Sequence, residues 1–143
     1  MALLAGQILT AEQVNRIQPR PHNAVGTGTI SGALSNQTVA NTTITLDTET
    51  DGATYHAVCV WDLDTNTGAT TGTGRLNVDG ANQSPLAAFS DATGTDRGTF
   101  SQVYQGTLAA AGSHTFKMIA SPGAGQIIQG VNCAYNLTIF EVV

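Results

Sequence analysis

The chain has 143 residues and a formal net charge of −5; 41% of its residues are hydrophobic, 10% charged and 6% aromatic. This is the length of one domain, with less than half the charge of an ordinary soluble one, in which about a quarter of residues are charged. Five basic residues against ten acidic ones leave no Lys/Arg stripe to neutralise phosphates, which excludes nucleic-acid binding, and no apolar run reaches the roughly 18 residues of a membrane-spanning helix.

At the start, Met1–Gly6 has neither the basic flank nor the apolar length of a signal peptide, so a soluble, unprocessed chain is expected. Thr10-Ala-Glu-Gln13 is a helix-start signal: the threonine hydroxyl caps the first turn and the glutamine reaches back. A short helix over 11–17 follows, with Val14 and Ile17 on one face, continuing the apolar Leu4, Ile8 and Leu9; Pro19 and Pro21 end it. So short a helix is unstable alone, so residues 1–25 read as an arm that docks, either on its own domain or on a partner. Arg16 and Arg20 against Glu12 give this arm +1, whereas residues 26–143 carry −6. An acidic partner surface would attract it.

From Gly26 onward, short runs alternate with Gly, Asn, Asp and Ser, and roughly one residue in seven is threonine. Both features favour strands, so residues 26–143 read as an antiparallel β-sandwich with strands near 27–34, 37–47, 53–63, 72–79, 98–108, 113–121 and 126–142. In the third strand Tyr55, Ala57, Cys59, Trp61 and Leu63 line one face and Val58 and Val60 the other. In the last, Val131, Cys133, Tyr135, Leu137 and Ile139 alternate against Ala134, Phe140 and Val142. A sandwich buries only one face of each sheet, so these second apolar faces call for a neighbouring subunit or an overlying arm. Trp61 and Tyr55 are expected in the core. Cys59 and Cys133 read as buried small hydrophobes whose pairing is open. The stretch Ala81–Arg97 has few strand signals beyond Pro85–Phe89 and reads as an exposed contact loop.

The chain contains no local signature of chemistry. Asp62-Leu-Asp-Thr-Asn-Thr-Gly68 begins like a calcium loop, but its glycine is one position late and Thr73 stands where the closing glutamate belongs, so it reads as a turn. His22, His56 and His114 lack zinc spacing, and Gly72-x-Gly74 lacks the lysine and helix of a phosphate loop. Catalytic residues, metal and cofactor are therefore all assigned as none.

Two regions carry a resemblance. Ala5-Gly-Gln-Ile-Leu-Thr-Ala-Glu-Gln-Val-Asn15 resembles the opening of small virion and fibre proteins of tailed phages, particularly those of actinobacteria. Gly74–Gly80, Ser101–Tyr104, Thr107–Lys117 and Leu137–Glu141 are similar to β-sandwich domains of phage structural proteins. The resemblance implies a jelly-roll or C1q-like sandwich that forms homotrimers on the outer surface of the virion. With nothing left for a fibre shaft, the expected role is a head decoration or cement protein contacting the major capsid protein or another virion protein. A minor tail or tail-tip protein is the alternative, and a carbohydrate- or receptor-binding module the second. The interface residues assigned on this reading are Leu4, Ile8, Leu9, Val14, Arg16, Ile17, Arg20, Phe140 and Val142.

Overall fold

A computed structural model describes residues 8–66, 70–90 and 94–141. The elements are α1 (Ala11–Arg16), β1 (Arg20–Val25), β2 (Thr29–Ser31), β3 (Gln37–Thr38), β4 (Ile44–Thr48), β5 (Ala53–Thr65), β6 (Thr71–Val78), β7 (Ala81–Asn82), β8 (Ala87–Ser90), β9 (Arg97–Leu108), β10 (Gly112–Ser121), β11 (Gln126–Gln129) and β12 (Ala134–Phe140), with a 3-10 turn over Gly130–Asn132. They form an all-β, antiparallel sandwich with a short N-terminal helix, as expected.

The long strand β5 is the spine of the first sheet. β9 pairs along one side of it, β12 and β11 share the other, and β1 and β2 lie outside these two. In the second sheet β10 has β4 and β3 on one side and β6 on the other, with β7 and β8 beyond β6. Inward residues of both sheets make one core that includes Tyr55, Trp61, Leu76, Tyr104, Phe116, Met118, Tyr135 and Leu137.

Trp61 sits at its centre. Its indole is fully buried, donates from Nε1 to the Ile119 carbonyl at 3.1 Å, and stacks on Phe100 at 5.7 Å. Phe89 continues the stack at 6.0 Å from Phe100. The indole fits because Gly74 faces it: a Cβ there would lie 2.4 Å from the ring. Gly72 does the same for Leu63, at 2.2 Å. The pair Gly72-x-Gly74 is therefore an inward mid-strand feature that makes room for large side chains.

Several boundaries differ from expectation. Residues 20–25, read as part of the arm, are an edge strand paired with β12 from Arg20↔Ile139 to Val25↔Ala134. Pro21 and Asn23 make this run a poor strand by composition; an edge position tolerates a missing N–H. The run 37–47 is split at Asn41, whose backbone is left-handed (φ 64) and whose side chain donates to the Val25 carbonyl at 2.9 Å. The run 126–142 breaks at Gly130, where the chain crosses Gly26 so closely that a Cβ on Gly26 would meet the Gly130 carbonyl at 2.5 Å. The supposed loop Ala81–Arg97 contains β7 and β8. Asp79-Gly80, both at positive φ, joins β6 to β7 as a two-residue hairpin turn.

Cys59 and Cys133 are both buried free thiols. Burial pushes the Cys59 thiol up to about 12 and also raises that of Cys133. Both are therefore protonated and unreactive near neutrality. Reductant is expected to leave the melting temperature unchanged, and iodoacetamide at pH 8 to label neither residue until the fold is lost; a drop of several degrees on reduction would establish a bridge.

Candidate interaction surface

Strand registers assemble a face that no single segment displays. On the outside of the first sheet, Thr107, Thr54 and Phe140 form one row, and Gln105, His56, Thr138 and Pro21 the next. Val103, Val58, Asn136 and Asn23 follow, then Ser101, Val60, Ala134 and Val25. These four rows contain no Asp, Glu, Lys or Arg. Val58, Val60 and Ala134 are half-buried, while Phe140 is 39%, Val103 48% and Val25 55% exposed. These are the second apolar faces of β5 and β12 that the sequence pattern left without a partner. At the Phe140 end the surface dips into a cleft of about 470 Å³ lined by Thr54, Tyr55, His56, Gln105, Gly106, Thr107 and Phe140. Gly106 shapes it, since a Cβ there would strike the Tyr55 ring.

Charge begins only beyond these rows. At one end Asp62 accepts from Arg97 Nε and Nη2 at 3.2 and 2.7 Å and from Asn132 at 2.6 Å. The Arg97 hydrogen bond holds the Asp62 carboxyl below the usual range, helped by Asn132 and against the effect of burial. Asp62 and Asp64 are thus strand residues, and Asp62 is tied to a cation, whereas residues 67–69 of the calcium-like motif lie outside the described residues.

At the other end a buried carboxylate, Glu141, receives the Arg20 guanidinium. It also accepts from the backbone N–H groups of Glu49 and Thr50 at 2.9 and 3.1 Å and from the Thr50 hydroxyl at 3.1 Å. Arg20 donates further to the Asp47 carbonyl at 3.1 Å. This clasp ties β1 to the β4–β5 connection. Arg20, assigned above to a partner interface, is therefore engaged within the domain.

The other assigned residues divide. α1 carries its capping box, with Gln13 N–H donating to Thr10 Oγ1 at 3.2 Å and Thr10 N–H to Gln13 Oε1 at 3.0 Å. Ile8 is 89%, Val14 40% and Ile17 38% exposed, and Leu9 is half-buried. Ile8, Val14 and Ile17 therefore stand outside the domain's core, while Glu12 and Asn15 border a polar cleft with Arg20, Glu49 and Glu141. Leu4, Val142 and the Arg16 side chain lie outside the described residues. Phe89, in the stretch read above as an exposed contact loop, is half-buried and packs on Phe100.

The three histidines are separated. His56 is exposed on the uncharged face, and His22 is half-buried on β1, where burial and then Arg20 lower its pKa. His114 forms a clasp on the second sheet: Nδ1 lies 2.7 Å from Asp79 Oδ2 and Nε2 lies 3.0 Å from the Ala110 carbonyl. Burial works against its charge, but Asp79 and Ala110 outweigh it and raise its pKa. Burial likewise works against the Asp79 charge, but His114 and the Thr115 N–H outweigh it and lower the Asp79 pKa.

Stability from His114 is therefore complete below the ordinary imidazole value of 6.5 and is lost as pH rises through the higher folded value. Stability from Asp79 is complete above 3.8 and is lost as pH falls through its lower folded value. His22 runs opposite to His114, so the measurement is a difference: as pH rises above 6.5, the melting temperature of the parent chain should fall relative to that of His114→Gln. Equal slopes in the two proteins would show that the clasp adds nothing. Among the described residues no three His, Cys, Asp or Glu side chains are grouped to hold a metal.

No protein-family model matches the sequence, and no curated protein matches it. Solved structures do share its fold. The chain is similar to Eiger TNF from S. frugiperda, at 10% identity and TM-score 0.55 over 86% of this chain and 93% of that one. It is similar to murine APRIL at 9% identity and TM-score 0.52, over 85% and 98%. A third likeness, to dimeric latent PorU from Porphyromonas gingivalis, has 9% identity and TM-score 0.52 and covers 86% of this chain but 13% of that one. The class is thus a TNF-like jelly-roll sandwich. At these identities the shared property is the fold.

Proposed function

We propose that this chain is a non-enzymatic, self-associating β-sandwich, a homotrimer that serves as a structural protein of a phage virion. The observation that carries the reading is the uncharged, partly apolar outer face of β1, β12, β5 and β9 in a protein with a net charge of −5. Removing charge from the core of a contact while leaving it at the rim is how subunit interfaces differ from free surface. The trimer and the virion setting are supported by the resemblance of Ala5–Asn15 and of the body strands to phage structural proteins. The exposed Ile8, Val14 and Ile17 supply the attachment, to the capsid or another virion protein, that the arm was expected to make.

Light scattering at micromolar concentration tests the assembly. The parent chain is expected at three times 14.7 kDa. Val58→Asp with Val103→Asp, which face each other across β5 and β9, should give a folded monomer. A mass of two chains would replace the trimer with a dimer. A parent monomer both in solution and on the particle would overturn self-association itself.

A further inference from the structure

The four rows of the charge-free face contain one titratable side chain, His56. It stands exposed on β5, between Gln105 of β9 and Thr138 of β12, at the border of the 470 Å³ cleft. Thr54 and Val58 flank it along β5, and the diagonal positions hold Val103, Thr107, Asn136 and Phe140. Beyond Thr138 the row ends on Pro21 of β1. None of these neighbours carries a charge.

The ionisable groups of the surrounding strands are turned away or engaged. Tyr55, Tyr104 and Tyr135 are buried in the core. On β1, Arg20 and His22 pair in register with the buried Ile139 and Leu137, which puts them on the inner side of the sheet. Glu141 is held in its clasp with Arg20, and Glu12 and Glu49 border the separate cleft beside that pair. Asp51, in the turn before β5, accepts from the Ala111 N–H at 2.7 Å. Asp62 lies six residues along β5, ~20 Å away, and is tied to Arg97. His56 therefore has no carboxylate within the face to balance a positive charge.

We propose that His56 makes self-association pH-sensitive, so that the assembly present at pH 7.5 comes apart on mild acidification. The switch rests on the proposed subunit contact. Imidazole is the side chain whose charge changes between pH 5 and 8. In a free subunit both forms of His56 are solvated, whereas a covering neighbour strips water from the ring. The Gln105 amide and the Thr138 hydroxyl suit a neutral ring, but an imidazolium among them loses its hydration without an opposite charge in return. Protonation thus favours separate subunits. The sign distinguishes this from the effect of bulk charge: with a sequence pI of 4.8, acidification toward pH 5.5 shrinks the net negative charge, which by itself would tighten assembly. A trimer holds three copies of His56, so its association constant can fall up to about a thousandfold per pH unit once the rings titrate.

Light scattering of the full chain at micromolar concentration, at pH 7.5, 6.5 and 5.5, tests this, with circular dichroism following the fold. The mass at pH 7.5 should fall to the 14.7 kDa of one folded chain at pH 5.5 and recover when the pH is returned. His56→Gln, which keeps hydrogen-bonding groups and never charges, should stay assembled throughout, whereas His56→Lys, charged throughout, should be monomeric at every pH. His114→Gln, altered on the other sheet, should dissociate as the parent does. A mass that is constant or grows on acidification, dissociation that persists in His56→Gln, an assembled His56→Lys, or loss of the fold at pH 5.5 would each overturn the proposal. Growth would place a carboxylate on the apposed surface. A parent that assembles but ignores pH overturns the switch alone, while a parent monomeric at pH 7.5 overturns the subunit contact and the switch together.

Discussion

Trp61→Ala is expected to lower the unfolding free energy by about 3–5 kcal/mol, the range for removing a buried Trp or Phe. The indole is fully buried between the sheets, carries the stack through Phe100 to Phe89, and its N–H is satisfied by the Ile119 carbonyl. Its removal leaves a cavity whose floor is the backbone of Gly74, with no side chain there to relax into the space. A domain of this size has roughly 5–15 kcal/mol in all, so the variant should be marginal at 37 °C. The reciprocal change, Gly74→Ala, inserts a methyl against the indole and should cost about 1–3 kcal/mol by overpacking. Urea denaturation checks both, and a cost below 1 kcal/mol for Trp61→Ala would mean that the core closes without it.

Glu141→Ala should be comparably damaging, at about 3–5 kcal/mol, because it removes a buried carboxylate that accepts several hydrogen bonds at once, each worth about 1.5–3 kcal/mol to a charged group. The Arg20 guanidinium and the N–H groups of Glu49 and Thr50 would lose their acceptor together. Arg20→Ala should cost less, about 1.5–3 kcal/mol, since the carboxylate keeps its backbone donors. Deleting residues 1–18 should cost almost nothing, because among the described residues of that segment Ile8, Val14 and Ile17 are exposed and the clasp begins at Arg20. On the proposed virion role, the same deletion should abolish rebinding to particles stripped of the protein. If it instead unfolds the chain, the arm belongs to the domain and attachment must lie elsewhere. Arg20 cannot report on the arm's charge, because substituting it also opens the clasp; Arg16→Glu is the cleaner probe, with an effect larger at low salt than at high salt.

Much of the sandwich was legible because strand periodicity is local. Alternation in Tyr55–Leu63 and Cys133–Ile139 identified the buried faces, and the capping box at Thr10 identified the helix; Val131, read on the same face, instead sits in the 3-10 turn and is 57% exposed. The same alternation showed that β5 and β12 had apolar residues to spare on their other face, which is the part of the interaction surface that sequence reveals. Asp79-Gly80 is a strong hairpin signal that would have exposed β7 within the supposed loop. Gly72 and Gly74 look like turn residues in a string of letters, and only the positions of Leu63 and Trp61 across the core explain them.

What the sequence by itself determined, then, is the class of structure and the strands with two apolar faces, because side-chain alternation and helix capping act over a few neighbouring residues. Which residues share a surface was decided by tertiary structure. Arg20 meets Glu141 across most of the chain, β1 exists because β12 offers it a ladder, and the charge-free rows arise only when four strands are set in register. Each of these depends on pairings between distant segments, and such a pairing is specified by the packing of the whole sandwich rather than by the local preference of either partner.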